Sequence, residues 1–418
     1  MLKTLFPKSH HRYASLPLLG SIVDGFAQWS LEQGYRRCTR RQQLQRLVGI
    51  DRYLWRRGFR RVAEISRHDL DVCWTAFHRR PSHRASTVRA LRHYLDGCGL
   101  LRPSAPDPPS RTCTQLTAYA TYLREVRGIE PSTIHQHVFT ATQLLDHLGY
   151  ETTPARLATL TATDIEGFVR QAGERLSRAT LQHVVARLRG ILRFLAVAGA
   201  IRPGLDTQID TPRLYRLEQL PRALPWSTVR AFIRSIDRTT ALGLRDYTMF
   251  FLIATYGLRV SEVVALTLDD IDWRSGSIRI LQRKTGTPLV LPLTDAAGMA
   301  LVHYLRRGRP ALACRQLFLR ARAPAGMLQR TAVSDAFQAW SKRSGLEIPY
   351  QGPHCLRHSY AVELLRRGAS LKSIGDLLGH RSAESTCVYL RLATEDLREV
   401  ALAVPQERPG HRAQEVRS

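Results

Sequence analysis

Along residues 44–54 the apolar side chains Leu44, Leu47, Ile50 and Leu54 fall three or four apart, the spacing that lines one face of an amphipathic helix. The pattern returns at Ile134, Val138, Leu144, Leu145 and Leu148. The landmarks around these runs also repeat. Trp29, Gly34, Gly58-Phe59, Ile65 and Asp69-Leu70 precede a helix ending Gly99-Leu100-Leu101-Arg102-Pro103. Tyr122, Gly128, Gly149-Tyr150, Leu160 and Asp164-Ile165 precede one ending Gly199-Ala200-Ile201-Arg202-Pro203. The offset drifts from about 91 to 100 residues, so 1–103 and 111–203 read as degenerate copies of one four-helix unit. Two small bundles sharing apolar periodicity by chance are the plainer alternative.

Past residue 222 the pattern changes. Helical spacing holds over Trp226–Ile236 and Arg245–Tyr256. Ser277-Ile278-Arg279-Ile280-Leu281 and Pro288-Leu289-Val290-Leu291-Pro292 then flank a Gly-containing turn at Lys284-Thr285-Gly286-Thr287, which predicts a β-hairpin. After Thr294 helical spacing is expected again to the end. Proline clusters at 102–110 and at Pro203, Pro212, Pro221 and Pro225 mark linkers. The predicted architecture is multidomain and mainly α. It has a basic helical domain at 1–103, a second helical domain at 111–203, a mixed α+β domain with a small sheet at 222–405, and a disordered tail at 406–418.

Charge sharpens this picture. Lys and Arg number 62 against 35 Asp and Glu, a formal net charge of +27. The first 110 residues hold 20 basic and 8 acidic groups, with Arg36-Arg37, Arg40-Arg41, Arg56-Arg57 and Arg60-Arg61 recurring at about helical spacing. So few acids leave the repulsion uncompensated unless a polyanion neutralises it, and the arginine excess favours nucleic acid over a membrane surface. Seven scattered cysteines without a C-x-x-C pair suit reduced thiols rather than a disulfide framework. No apolar run approaches the roughly 18 residues needed to span a bilayer. The first 20 residues lack the apolar core of a signal peptide. A cytoplasmic protein with double-stranded DNA as partner is the expectation.

The chemistry concentrates late in the chain. Tyr256-Gly257-Leu258-Arg259-Val260-Ser261-Glu262, Lys284, His354-Cys355-Leu356-Arg357-His358, Leu377-Leu378-Gly379-His380 and Tyr389 form an ordered set. Breaking a phosphodiester needs fixed positive donors around the non-bridging oxygens, and paired guanidinium N–H groups at Arg259 and Arg357 suit that task. Glu262 is placed to hold Arg259 or a neighbouring catalytic side chain in register, or simply to pair with Arg259 at i,i+3. Lys284 in the hairpin turn is placed to protonate the leaving 5′ oxygen. Tyr389 supplies the nucleophile, a phenol with a pKa of about 10 that needs cations or a base beside it. His354 and His380 are donors to the phosphate, and one of them accepts the phenolic proton; the sequence leaves open which. His354 and His358 lie four apart like a zinc pair, but no third or fourth ligand completes a tetrahedral set, so no metal is expected. His358 reads as structural support and Cys355 and Cys387 as small packing residues. No phosphate cradle of the G-x-x-x-x-G-K-[ST] kind is present, so no cofactor is expected.

The order Arg259, Lys284, His354-x-x-Arg357, His380, Tyr389 resembles the active site of the tyrosine recombinases, the phage-integrase family, over about 222–400. The resemblance implies that 111–203 is the core-binding domain of a C-shaped clamp around duplex DNA. It implies a 3′-phosphotyrosyl intermediate, a free 5′ hydroxyl and strand exchange through a Holliday junction by a tetramer on two DNA sites, without cofactor. Partner recombinases belong to the same expectation. Integration, excision or transposition of a mobile element is the expected role. Chromosome or plasmid dimer resolution, a non-catalytic architectural DNA-binding protein and a type IB topoisomerase are the alternatives. Simpler members lack a unit like 1–103, so its arm-site or accessory DNA binding is read from charge alone. An apolar stripe at Leu392, Leu397, Val400 and Ala401 implies a short helix, docking on a neighbouring protomer or on its own domain.

Overall fold

The structure is a computed structural model that describes residues 1–78, 84–103, 110–213, 221–282, 288–380 and 382–392. The hairpin turn with Lys284, the apolar stripe beyond Leu392 and the tail from 406 lie outside the described residues. The chain divides into two compact units, Met1–Asp51 with Leu220–Ser418, and Arg52–Gln219. Each is taken by itself.

Two successive series of helices share one order. The first comprises Val23–Glu32, Arg37–Arg56, Arg67–His78 and Arg84–Gly97; the second comprises Arg111–Glu125, Pro131–His147, Ala162–Gly173 and Arg178–Val197. The predicted inward positions Leu44, Leu47, Ile50 and Leu54 are buried, as are Ile134, Leu144, Leu145 and Leu148. The third helix of each series starts alike. The Asp69 carboxylate accepts from the backbone N–H and hydroxyl of Ser66 at 2.9 and 2.6 Å, and Asp164 accepts from those of Thr161 at 3.0 and 2.6 Å. Each pair satisfies amides that the helix itself leaves without acceptors. In the second series Tyr119, Leu144, Val185, Leu188, Ile191 and Leu195 form the centre of one apolar core.

The part of the chain beyond Leu220 is built round the helix Ala241–Tyr256, which is apolar on nearly every face and correspondingly buried. Phe250 on this helix packs on Phe232 of Trp226–Ser235 and Phe337 of Arg330–Ser344, with ring centroids 5.7 and 5.8 Å away. Arg245 and Asp246, on the same helix, are buried together, and Asp246 also accepts from the Trp340 indole at 3.0 Å. Three antiparallel strands, β1 (Ile271–Asp272), β2 (Ser277–Leu281) and β3 (Pro288–Pro292), lie in that order. Ser277 pairs with Pro292 and Leu281 with Pro288, so the hairpin has the predicted bounds.

The expectation of helical chain after Thr294 holds, among the described residues, for Asp295–Arg307, Arg330–Ser344, His354–Arg366, Leu371–Leu378 and the short Glu384–Cys387. Residues 308–329 contain no helix. Leu317, Phe318 and Leu319 are fully buried there in non-helical backbone, which pairs with distant main chain instead: the Leu317 amide donates to Leu266 O and the Leu268 amide to Arg315 O, each at 2.8 Å. Three consecutive apolar residues read equally as helix or buried strand, and non-local pairing decided it.

Candidate active site

Two helix ends and one helix start bring the basic groups together. The helix Ala241–Tyr256 stops at Gly257, and Leu371–Leu378 stops at Gly379, each in left-handed conformation (φ +65° and +60°). This termination leaves carbonyl oxygens pointing past the helix ends. Arg357, on the first turn of His354–Arg366, donates to Gly257 O at 2.6 Å and Leu378 O at 2.5 Å. Arg259, at the N-cap of Val260–Ala265, donates to Gly379 O at 3.0 Å. The negative ends of two helix dipoles therefore hold the two guanidinium groups. A side chain on Gly257 would meet a ring and a leucine, and one on Gly379 would displace the end of the Gln282 side chain. A Cβ on Gly257 would lie 2.6 Å from the Tyr360 ring and 2.7 Å from Leu378, and one on Gly379 would lie 2.2 to 2.5 Å from Gln282.

Glu262 performs both tasks open to it. One oxygen accepts from the Arg259 guanidinium at 2.7 Å and the other from the Arg259 backbone N–H at 2.8 Å. The carboxylate is buried, so the i,i+3 pair fixes the arginine far more firmly than a surface pair would. Arg357 is itself buried, and burial, reinforced by repulsion from Arg259, brings its pKa down to about 10. It stays cationic at neutral pH.

Tyr389 lies on the short 3-10 segment Val388–Leu392 and is 2% exposed. Burial raises its phenol above the usual tyrosine value, opposed by the charges of Arg357 and Arg259. The phenolic oxygen lies 3.0 Å from His358 Nδ1. His358 stands edge-on to His354, with ring centroids 4.6 Å apart, and the His380 ring stacks at 6.2 Å from that of Tyr389. His380 Nδ1 is 2.8 Å from the hydroxyl of buried Thr386. When that hydroxyl donates, the imidazole proton sits on Nε2 as a donor. Burial lowers both His358 and His380 to a pKa of about 4, with His354 adding to the first and Arg357 to the second. Both rings are neutral at pH 7.

The structure thus gathers Arg259, Glu262, His354, Arg357, His380 and Tyr389, while Lys284 falls outside the described residues. The charges of Arg357 and Arg259 act on the buried Tyr389 phenol. The sequence pattern of the phage integrase family matches residues 224–396. The protein named "Putative integrase/recombinase y4rA" of Sinorhizobium fredii is 32% identical over 388 residues, covering 91% of this chain and 93% of that protein. The chain belongs to the phage integrase family, the tyrosine recombinases.

Tyrosine recombinase XerD of Listeria monocytogenes is 34% identical over 248 residues, covering 58% of this chain and 82% of that one. A lambda integrase dimer on a core site has the same fold with a TM-score of 0.52 and 19% identity, covering 74% of this chain and 87% of that one. This protein is accordingly a tyrosine-type site-specific recombinase. The structure adds contacts that the sequence did not offer. His358, read as structural support, is a hydrogen-bond partner of the phenol. Cys355 is buried as expected, whereas Cys387 is exposed. Thr386, which orients His380, gave no signal in the sequence beyond its nearness to Tyr389.

Proposed function

We propose that this recombinase cuts double-stranded DNA by attack of the Tyr389 oxygen on a backbone phosphorus. Arg259 and Arg357 neutralise the non-bridging oxygens, His354 and His380 donate to them, and Lys284 protonates the 5′ oxygen as it leaves. A 3′-phosphotyrosyl bond and a free 5′ hydroxyl result, and attack by a second strand's 5′ hydroxyl reverses the step. The covalent bond retains the energy of the phosphodiester, so neither nucleotide nor metal is called for. The convergence of Arg259, Arg357, His380 and Tyr389 carries this reading.

In the same reading four copies act on two DNA sites in the cytoplasm, alone or with partner recombinases, to move a mobile element. Likeness over 91% of the chain to a protein named as an integrase/recombinase supports that role over dimer resolution, since the likeness to XerD proteins covers 56 to 68% of the chain. Residues 1–103, read as a copy of the helical unit at 111–203, add DNA affinity. Arg60 lies 4.2 Å above Trp55 and Arg89 4.5 Å above Trp74, and both arginines are exposed. Each arginine thus offers an exposed charge steadied by an aromatic ring. Removing 1–103 is expected to weaken binding and flatten its salt dependence. The decisive experiment uses a nicked suicide substrate that traps cleaved enzyme. Tyr389→Phe is expected to bind this DNA but form no covalent adduct; adduct at the wild-type level would refute the assignment.

A further inference from the structure

The histidine that the family-like pattern leaves aside is the one that touches the phenol. We infer that His358 is the group that takes the proton from Tyr389 as the tyrosine attacks and returns it when the strand is rejoined. The inference rests on Tyr389 being the nucleophile.

Three observations single out His358 among the histidines. Its Nδ1 is 3.0 Å from the Tyr389 oxygen, an ordinary hydrogen-bond length. His380 instead lies stacked against the phenol, ring beside ring, and its Nδ1 is taken up by Thr386. His354 meets the His358 ring edge-on. The groups acting electrostatically on His358 are His354, Arg357, His380 and Arg222, each of which opposes protonation, together with burial. A neutral ring with its proton on Nε2 offers the Nδ1 lone pair to the phenol. As the Tyr389 oxygen bonds to phosphorus, the bond from phosphorus to the 5′ oxygen breaks. The phenolic proton passes to Nδ1, and the 5′ oxygen leaves with a proton from a separate acid, the role proposed for Lys284. His358 becomes an imidazolium only as the non-bridging oxygens reach their greatest negative charge, when a nearby cation is most useful. Rejoining runs the same path backwards, so the imidazolium then acts as the acid.

The inference makes a statement about pH that a merely structural histidine would not. With a base of pKa about 4 in contact, the phenol needs no help from hydroxide, so single-turnover cleavage by the wild-type protein is expected to be level from about pH 6 to 8. In His358→Asn, whose side-chain oxygen still accepts a hydrogen bond but takes no proton, the phenol must lose its proton to solvent. Cleavage is then expected to fall by about 10²–10⁴ at pH 7, the usual worth of a general base, and to rise about tenfold per pH unit. DNA affinity and thermal unfolding of the variant check its fold, and His358→Gln repeats the test with a longer amide. A variant within threefold of wild type, or one that is slow with a level profile, would overturn the inference. So would a wild-type rate that already climbs tenfold per unit between pH 6 and 8, a measurement that needs no variant. Tyr389→Phe run alongside separates the two readings. If it still forms adduct, the nucleophile is wrong; if it forms none while His358→Asn behaves as wild type, only the base is wrong.

Discussion

Glu262→Gln removes one charge and exchanges one oxygen for an NH2 group with almost no change of shape. In the wild-type protein both carboxylate oxygens accept, one from the Arg259 guanidinium at 2.7 Å and one from the Arg259 backbone N–H at 2.8 Å. An amide has a single acceptor oxygen, so whichever way it turns, its NH2 confronts a donor. A buried donor left without its acceptor costs about 1–3 kcal/mol. Relief comes from swinging the guanidinium away or loosening the turn at Arg259, and either moves the charge off the phosphate. Complete loss of such a donor costs about 10²–10³ in rate. The amide retains one of two contacts, so a loss of roughly 10- to 100-fold is expected, less than for Arg259→Ala. The assay is single-turnover adduct formation on the nicked substrate, at saturating protein. A double-mutant cycle locates the effect: in an Arg259→Ala background, adding Glu262→Gln is expected to change the rate by less than threefold. Full additivity, or an unimpaired single variant, would refute the claim that Glu262 works by fixing Arg259.

Gly257→Ala forces a left-handed alanine and pushes its Cβ into Tyr360 and Leu378; backbone cost of about 1 kcal/mol and overpacking of about 1–3 kcal/mol predict a lower unfolding midpoint, and an unchanged urea midpoint would contradict the reasoning. His358 and His380 have folded pKa values of about 4 against 6.5 for the ordinary side chain, both lowered first by burial. The unfolded chain therefore binds protons that the folded chain refuses, so stability falls as pH drops through the window from about 6.5 to 4. Urea titrations at pH 7 and pH 4.5 test this, and His358→Asn is expected to lose less stability across that window than wild type.

Much of this was legible in the sequence where interactions are local or chemically uncommon. The hairpin strands fall at Ser277–Leu281 and Pro288–Pro292 because alternation and flanking residues fix them within ten positions. The buried faces at Leu44 to Leu54 and Leu144 to Leu148 follow from periodicity alone. Arg259, Arg357, His380 and Tyr389 stood out because few other reactions call for those types in that order. What escaped was set by tertiary contact. Residues 308–329 look ready for helix, yet their amides and carbonyls pair with the chain near Leu266, about fifty positions earlier. His358 lies one helical turn from His354, which invites a reading along its own helix. Its partner is instead 31 residues away, brought there by the turn at Gly379 and the short helix Glu384–Cys387. Gly257 and Gly379 stood only as members of the motifs around Arg259 and His380, and nothing in a linear pattern announces that the carbonyls at these helix ends carry the guanidinium groups.

Mapping the covalent bond tests the central claim most directly. Adduct trapped on the nicked substrate is digested with nuclease and trypsin, and the peptide Ser382–Arg391 is fragmented by mass spectrometry. The nucleotide is expected on Tyr389 alone; a nucleotide on any other residue, or on no residue while cleavage proceeds, would contradict the account.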